Sequence, residues 1–206
     1  MSVVRAFIAV DLPSDLQERL AQVAGELREQ MGDAPVRWVA AGNMHLTLKF
    51  LGDVSLNNLD VLKDIMRGET ADRKPMVISF GGLGAYPKPR SPRVIWIGVE
   101  APAEFEALQR GIDQQTAGVG YARDRRPFSP HLTLGRVSRN ATPKDVRMIG
   151  DVLCAKKVGF LGVARVHEVH LYRSDLQPGG AVYKRLFSAG LKVTTQPNGE
   201  IPEKRV

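Results

Sequence analysis

The chain of 206 residues contains a single cysteine, Cys154, which rules out an internal disulfide, a thiolate zinc cluster and a dithiol redox pair, and points to a reducing compartment. In the helical run Val152-Leu153-Cys154-Ala155 this thiol reads as a partly buried packing residue, since a nucleophile needs a nearby base and a lowered pKa. No window approaches about 18 uninterrupted apolar residues, so no membrane-spanning helix is expected. Long disordered or collagen-like stretches are also lacking, because 43% of the residues are apolar and 25% charged, the balance of a globular protein with a packed core. The opening segment, Met1 to Asp11, has a short apolar run followed by an acidic residue and no cleavage-type site. It reads as a first strand, and the protein is expected in the cytoplasm. Acidic residues are fewer than basic ones, 22 against 29, and the resulting net charge of +7 permits an anionic partner without requiring one.

The periodicities alternate between strand and helix. Val4 to Val10 has strand length, and after Pro13 the apolar residues Leu16, Leu20, Val23, Ala24 and Leu27 recur at helical spacing up to about Gly32. Strands are predicted at Val36–Val39, at His45–Leu51 closed by Gly52-Asp53, and at Met76–Phe80. A helix capped by Ser55 carries Leu59, Leu62 and Ile65. The segment Gly81 to Pro92 holds three Gly and three Pro, and is predicted to be a loop between two halves. Beyond it follow a strand Arg93–Val99, a helix from Pro102 through Ile112, a strand at His131–Leu134 and a helix begun by Thr142-Pro143 with Val146, Ile149, Val152 and Leu153 inward. Two strands, about Ala164–Tyr172 and Val182–Ser188, precede a polar end that frays from about Thr194.

The two halves repeat. Phe7-Ile8-Ala9-Val10-Asp11-Leu12-Pro13 aligns with Trp96-Ile97-Gly98-Val99-Glu100-Ala101-Pro102 at an offset of 89, and His45-Leu46-Thr47-Leu48 recurs as His131-Leu132-Thr133-Leu134 at an offset of 86. The expected class is α+β: two pseudo-symmetric lobes, each an antiparallel sheet with outer helices, facing across a central cleft. Residues 1–190 would form one bilobal domain, from repeats at about 3–83 and 93–190 whose lobes are free to exchange strands, and 191–206 a polar tail. Because the two-fold lies within one chain, a monomer is expected.

Strand alternation turns His45 and Thr47 to one face and Leu46, Leu48 and Phe50 to the other, and it separates His131 and Thr133 from Leu132 and Leu134 in the same way. Two imidazoles and two hydroxyls in one cleft suit a phosphodiester. In-line attack needs one group to take a proton from the nucleophile and another to protonate the leaving oxygen, and an imidazole with an ordinary pKa of about 6.5 does either. The hydroxyls can donate to the non-bridging oxygens. No metal or other cofactor enters this scheme, and two histidines without a third ligand make a poor metal site. His167-Glu168-Val169-His170 is one residue short of a zinc-protease spacing and reads as structural, and Gly81-Gly82-Leu83-Gly84 lacks the Lys-Ser/Thr of a phosphate-binding loop. Arg123, Arg125 and Arg126 form either a solvated basic face or a track for an RNA backbone. Trp38, Phe50 and Phe128 flank the histidine strands as core or base-stacking residues.

The paired His-x-Thr-x motifs resemble those of the 2H phosphoesterase superfamily. With Arg5 to Val10 and Pro127 to Arg136 they resemble in particular the RNA 2′,3′-cyclic phosphodiesterases, also called 2′-5′ RNA ligases, over about residues 3–190. The resemblance implies the bilobal 2H fold and metal-free hydrolysis of a terminal RNA 2′,3′-cyclic phosphate to a 2′-phosphate, with weak reversible 2′-5′ joining. Carried over by position, it makes His45 the general acid and His131 the general base, an assignment that the residues alone leave symmetric. Thr47 and Thr133 would bind phosphate. Arg136 matches a phosphate-contacting arginine of the subgroup, yet strict alternation points it away from His131, so a bulge or a strand end near Gly135 is required to turn it inward. Other 2H members act on 2′-5′ oligoadenylate or ADP-ribose cyclic phosphate, and a nucleotide-binding module without turnover is the non-enzymatic alternative.

Overall fold

The computed structural model describes residues 3–124, 126–177 and 180–192; Arg125 and the tail from Thr194 onward lie outside the described residues. The chain runs β1 (Val3–Val10), α1 (Ser14–Met31), β2 (Val36–Trp38), a 3₁₀ turn at Ala41–Asn43, and β3 (Leu46–Ser55). A second 3₁₀ turn (Leu56–Asn58) leads into α2 (Leu59–Thr70), and β4 (Met76–Tyr86) follows. After β5 (Val94–Glu100) come α3 (Ala103–Gly118), β6 (His131–Val137), α4 (Pro143–Ala155), β7 (Phe160–Val166), β8 (Glu168–Gln177) and β9 (Gly180–Gly190).

Two antiparallel sheets result, one of four strands in the order β3-β1-β8-β9 and one of five in the order β2-β6-β5-β4-β7. Each draws on both repeats. The first sheet pairs β1 and β3 with β8 and β9 from the end of the chain, while β5 and β6 pair with β2 and β4 from the first half. Helices α2 and α3 cover the first sheet, and α1 and α4 cover the second, so each repeat supplies one helix to each lobe. The apolar faces follow the alternation. Ala6, Ile8 and Val10 of β1, Ile95 and Ile97 of β5, and Leu132 and Leu134 of β6 lie buried beneath these helices, each large side chain contributing about 1.5–3 kcal/mol of transfer free energy.

Local chemistry explains the helix starts. Thr142 forms a capping box with Asp145, its hydroxyl accepting from the Asp145 N–H at 3.2 Å, and Pro143 follows in the first turn, where its missing N–H is harmless. Ser55 caps a 3₁₀ turn rather than α2 itself, accepting from the Asn57 N–H.

Four further expectations are corrected. Gly81 to Tyr86 continues β4 and only the segment after it is a loop, because Gly81 and Gly84 serve close approach and Gly82, at φ +70°, sits in a bulge against β5 rather than a turn: a Cβ on Gly84 would stand 2.2 Å from the Trp96 ring. The stretch Ala164–Tyr172 is not one strand; it breaks at His167, with β7 ending in one sheet and β8 beginning in the other. Gly52-Asp53 does not close β3, which passes through Gly52 with a register shift against β1 and runs on to Ser55. Cys154 is exposed, since α4 turns Ile149, Gly150 and Leu153 inward and leaves the thiol on the outer side.

Candidate active site

His45 lies immediately before β3 and His131 opens β6, and these two strands touch where the sheets meet. Each imidazole is held in the same way. His45 Nδ1 donates to the carbonyl of Asn43 at 2.8 Å, and His131 Nδ1 donates to the carbonyl of Ser129 at 2.8 Å. A carbonyl oxygen can only accept, so the proton of each neutral ring resides on Nδ1 and the Nε2 lone pair is left available. Among the described residues neither Nε2 has a hydrogen-bond partner at this geometry, and neither do the hydroxyls of the half-buried Thr47 and Thr133.

A bulge follows each motif at the same place. In the β1–β3 ladder Ala9 pairs with Thr47 and Ile8 with Lys49, leaving Leu48 as an extra residue. In the β5–β6 ladder Trp96 pairs with Thr133 and Ile95 with Gly135, leaving Leu134. An extra residue inverts the alternation beyond it. Arg136, paired with Val94, is therefore on the face of Thr133 and Trp96, which is the inward turn that strict alternation denied it. Phe50 is corrected by the same device. Instead of packing behind the sheet it shares the face of Phe7, its ladder partner, and is 68% exposed. Lys49 moves the other way, into the layer beneath the sheet, where it pairs with Asp113 of α3.

Of the rings around the two histidines, one on each side, Phe7 and Trp96, comes from a matching position of the repeat, whereas Tyr183 and Tyr86 come from strands that do not correspond, β9 and β4. His45 stacks on Phe7 with centroids 4.6 Å apart and meets the edge of Tyr183 at 5.1 Å. His131 meets the edge of Tyr86 at 5.0 Å and lies 6.4 Å from Trp96. Phe7 and Trp96 are the residues that open the aligned strand segments, so an aromatic at both was the signal that could have assigned them to the site. Of the three aromatics proposed from sequence, Trp38 and Phe128 pack against the core and only Phe50 stands free to meet a base.

The electrostatic surroundings are not symmetric. Burial holds the His45 pKa below the usual imidazole value, against the raising influence of the Asn43 carbonyl and of Asp11. Asp11 in turn pairs with Arg185, accepts from the Tyr172 hydroxyl at 2.6 Å, and lies 3.6 Å from His170 Nε2. Burial and the bond to Asp11 push the Tyr172 pKa up to about 12. His170 is buried against Ser188 Oγ, 2.8 Å from its Nδ1, in keeping with a structural reading of His167-Glu168-Val169-His170. Asp11, Asn43, His45, Tyr172, Tyr183 and Arg185 help to line a cavity of about 240 Å³ beside His45. A larger groove of about 530 Å³ between α2 and α3 includes none of the motif residues. Among the described residues no cluster of three or more His, Cys, Asp or Glu side chains could hold a metal ion, and no helix is long and apolar enough to cross a membrane.

Comparison with known proteins agrees with this architecture. The family model described as LigT like Phosphoesterase matches residues 10–96 and again 97–183, one match for each repeat. The RNA 2′,3′-cyclic phosphodiesterase of Methanothermobacter thermautotrophicus is 40% identical over 180 residues, covering 87% of this chain and 95% of that protein. The protein of the same name from Escherichia coli is 30% identical over 185 residues, covering 88% and 93%. The crystal structure of E. coli LigT complexed with 3′-AMP superposes with a TM-score of 0.75 at 28% identity, covering 93% of this chain and all of that one. With its fold, its internal repeat and both family matches in register, the chain belongs to the LigT-like phosphoesterases of the 2H superfamily.

Proposed function

We propose that this protein hydrolyses the terminal 2′,3′-cyclic phosphate of RNA to a 2′-phosphate without a metal, with His131 as base and His45 as acid. The observation that carries the reading is the pair of Nδ1–H···O=C bonds, which commits both rings to proton transfer through Nε2. In the forward direction Nε2 of His131 takes a proton from water as the water oxygen bonds to phosphorus. The P–O3′ bond breaks, and His45 Nε2–H delivers its proton to O3′, leaving a 2′-phosphate and a 3′-hydroxyl. Thr47, Thr133 and Arg136 meet the non-bridging oxygens, where charge must be held through the transition state. With an RNA 5′-hydroxyl in place of water, the same forward step joins the ends: His131 Nε2 takes the 5′-hydroxyl proton as O5′ bonds to phosphorus, P–O3′ breaks, and His45 protonates O3′, leaving a 2′-5′ linkage.

As the acid, His45 must hold a second proton. Burial opposes this, Asp11 and the Asn43 carbonyl favour it, and the arriving phosphate anion adds to the favourable side. The names of the relatives, RNA 2′,3′-cyclic phosphodiesterase, support the substrate class.

The test is incubation in EDTA with a cyclic-phosphate-ended oligonucleotide and with 2′,3′-cyclic AMP. His45→Ala and His131→Ala should each lower turnover by about 10²- to 10⁴-fold with little change in melting temperature. Near wild-type turnover in either variant would refute the two-histidine scheme, and a 3′-phosphate product would refute the regiochemistry.

A further inference from the structure

The pseudo-two-fold breaks at one strand. β2 is three residues long, forms the edge of the five-stranded sheet, and has no counterpart beside β3 in the other sheet. Its central residue, Arg37, lies directly opposite Arg136 in the β2–β6 ladder. Val36 and Trp38, on either side of it, turn to the buried face, where they crowd Gly135. Arg37 and Arg136 are consequently neighbours on the exposed, active-site face, with Cβ atoms about 4.5–5.5 Å apart as in any directly opposed pair.

Like charges directly opposite each other destabilise a ladder, and here no carboxylate offsets them: among the described residues neither guanidinium has a salt-bridge partner. The repeat supplies an internal control. Arg37 precedes His45 by eight residues, and Arg123 precedes His131 by the same eight. Arg123, unlike Arg37, has a carboxylate partner, Asp113 at 3.3 Å, which it shares with Lys49, and it does not lie in a strand. Both Arg37 and Arg136 act on Tyr183, drawing its pKa down against burial, and the Tyr183 ring touches His45. The pair therefore reaches the reaction centre from the edge of the sheet.

We propose that Arg37 is the anchor of a second phosphate subsite, which takes the internucleotide phosphodiester adjacent to the cyclic end while Arg136 serves the reacting phosphate. The inference rests on the cyclic-phosphodiesterase reading and deepens it: the subsite makes the enzyme select ends of RNA chains over free cyclic mononucleotides. A planar guanidinium suits a phosphodiester by donating two parallel N–H bonds.

The experiment compares kcat/KM for a cyclic-phosphate-ended trinucleotide with that for 2′,3′-cyclic AMP, in wild type, Arg37→Gln, Arg37→Lys and Arg123→Gln. Arg37→Gln should lower the trinucleotide-to-mononucleotide preference about tenfold, through KM, and reduce the salt slope for the trinucleotide by about 0.7–1. Arg37→Lys should restore part of the preference, and Arg123→Gln should leave it unchanged. An equal loss on both substrates, or no loss on either, overturns the subsite. If the wild type turns over neither substrate, the hydrolytic reading is what fails, and anisotropy with a labelled single-stranded RNA then decides the subsite alone. Binding weakened about tenfold by Arg37→Gln supports it, and unchanged binding overturns it.

Discussion

The buried ion pair between Lys49 and Asp113 joins the first histidine strand to the approach of the second, and its removal tests the bulge that creates it. Lys49 Nζ donates to Asp113 Oδ1 at 2.5 Å and to the Ala122 carbonyl at 2.6 Å, and the two side chains are 4% and 8% exposed. Asp113 also accepts from the Asp124 N–H at 3.2 Å and from Arg123 Nε at 3.3 Å. Burial pushes the Asp113 pKa up, but these donors outweigh it and hold the carboxylate below its usual value. Breaking a buried pair costs about 3–5 kcal/mol because one charge is left uncompensated. The partners set the order. In Lys49→Met the Asp113 carboxylate keeps two donors, so the loss should lie near 3 kcal/mol, about 6–12 °C in Tm for a chain of this size. In Asp113→Leu the ammonium keeps only the Ala122 carbonyl, so the loss should approach 5 kcal/mol, about 10–20 °C. The double variant, with no charge left to strand, should be more stable than Asp113→Leu alone. Urea and thermal unfolding followed by circular dichroism measure all three. The advantage of wild type over Lys49→Met should persist at neutral pH and fade below about pH 4, as protonation removes a carboxylate whose folded pKa is depressed. Losses under about 1 kcal/mol, or Asp113→Leu no worse than Lys49→Met, would refute the buried-pair account.

Three further outcomes follow from the site. With His45 as acid and its pKa held down by burial, the alkaline limb of kcat/KM should fall below about pH 6.5; Asp11→Asn, which removes a raising influence, should move that limb lower still. A shift of the acidic limb instead would mean that His45 is the base. Gly84→Ala places a methyl 2.2 Å from the Trp96 ring, so it should destabilise by about 1–3 kcal/mol and alter tryptophan fluorescence, and unchanged stability and emission would refute that close approach. Phe50→Ala, with its 68% exposed ring, should raise KM for oligonucleotides severalfold while moving stability by less than about 0.5 kcal/mol; an unchanged KM would count against base stacking there.

What could be read from the sequence was what repeats. Offsets of 89 and 86 aligned the first strand and the histidine motif of each half, and alternation correctly buried Leu46, Leu48, Leu132 and Leu134. What could not be read was set by pairing. The bulges at Leu48 and Leu134 follow from the register against β1 and β5: Gly135 pointed to the second without fixing it, and no local residue marks the first; hence Phe50 was assigned to the wrong face and Arg136 was left depending on a bulge that only the ladder could show. The glycines of β4 failed as a signal for a related reason. Gly84 is small to admit the Trp96 indole from a neighbouring strand, a demand that cannot be distinguished from a turn when only the glycine-rich segment is in view. Asp11 and Arg185 stand 174 positions apart, so their pairing awaited the exchange of strands between the lobes.

That exchange also explains how one repeated motif can serve the two different proton carriers of the proposed mechanism. Backbone carbonyls two residues upstream lock both rings identically, so the repeat itself provides no distinction between acid and base. The distinction comes from strands that are not part of the motif. β8 and β9 bring Tyr172, Tyr183 and Arg185 around His45 and Asp11, whereas β4 and β5 bring Tyr86 and Trp96 around His131, which among the described residues has no carboxylate partner. A symmetric pair of rings would divide one proton between two equivalent sites and be in the productive arrangement only part of the time. In the proposed mechanism, a carboxylate on one side alone gives His45 a raising influence that burial outweighs in the free protein, so the arriving phosphate anion is what completes the charge balance that places the proton on the His45 side.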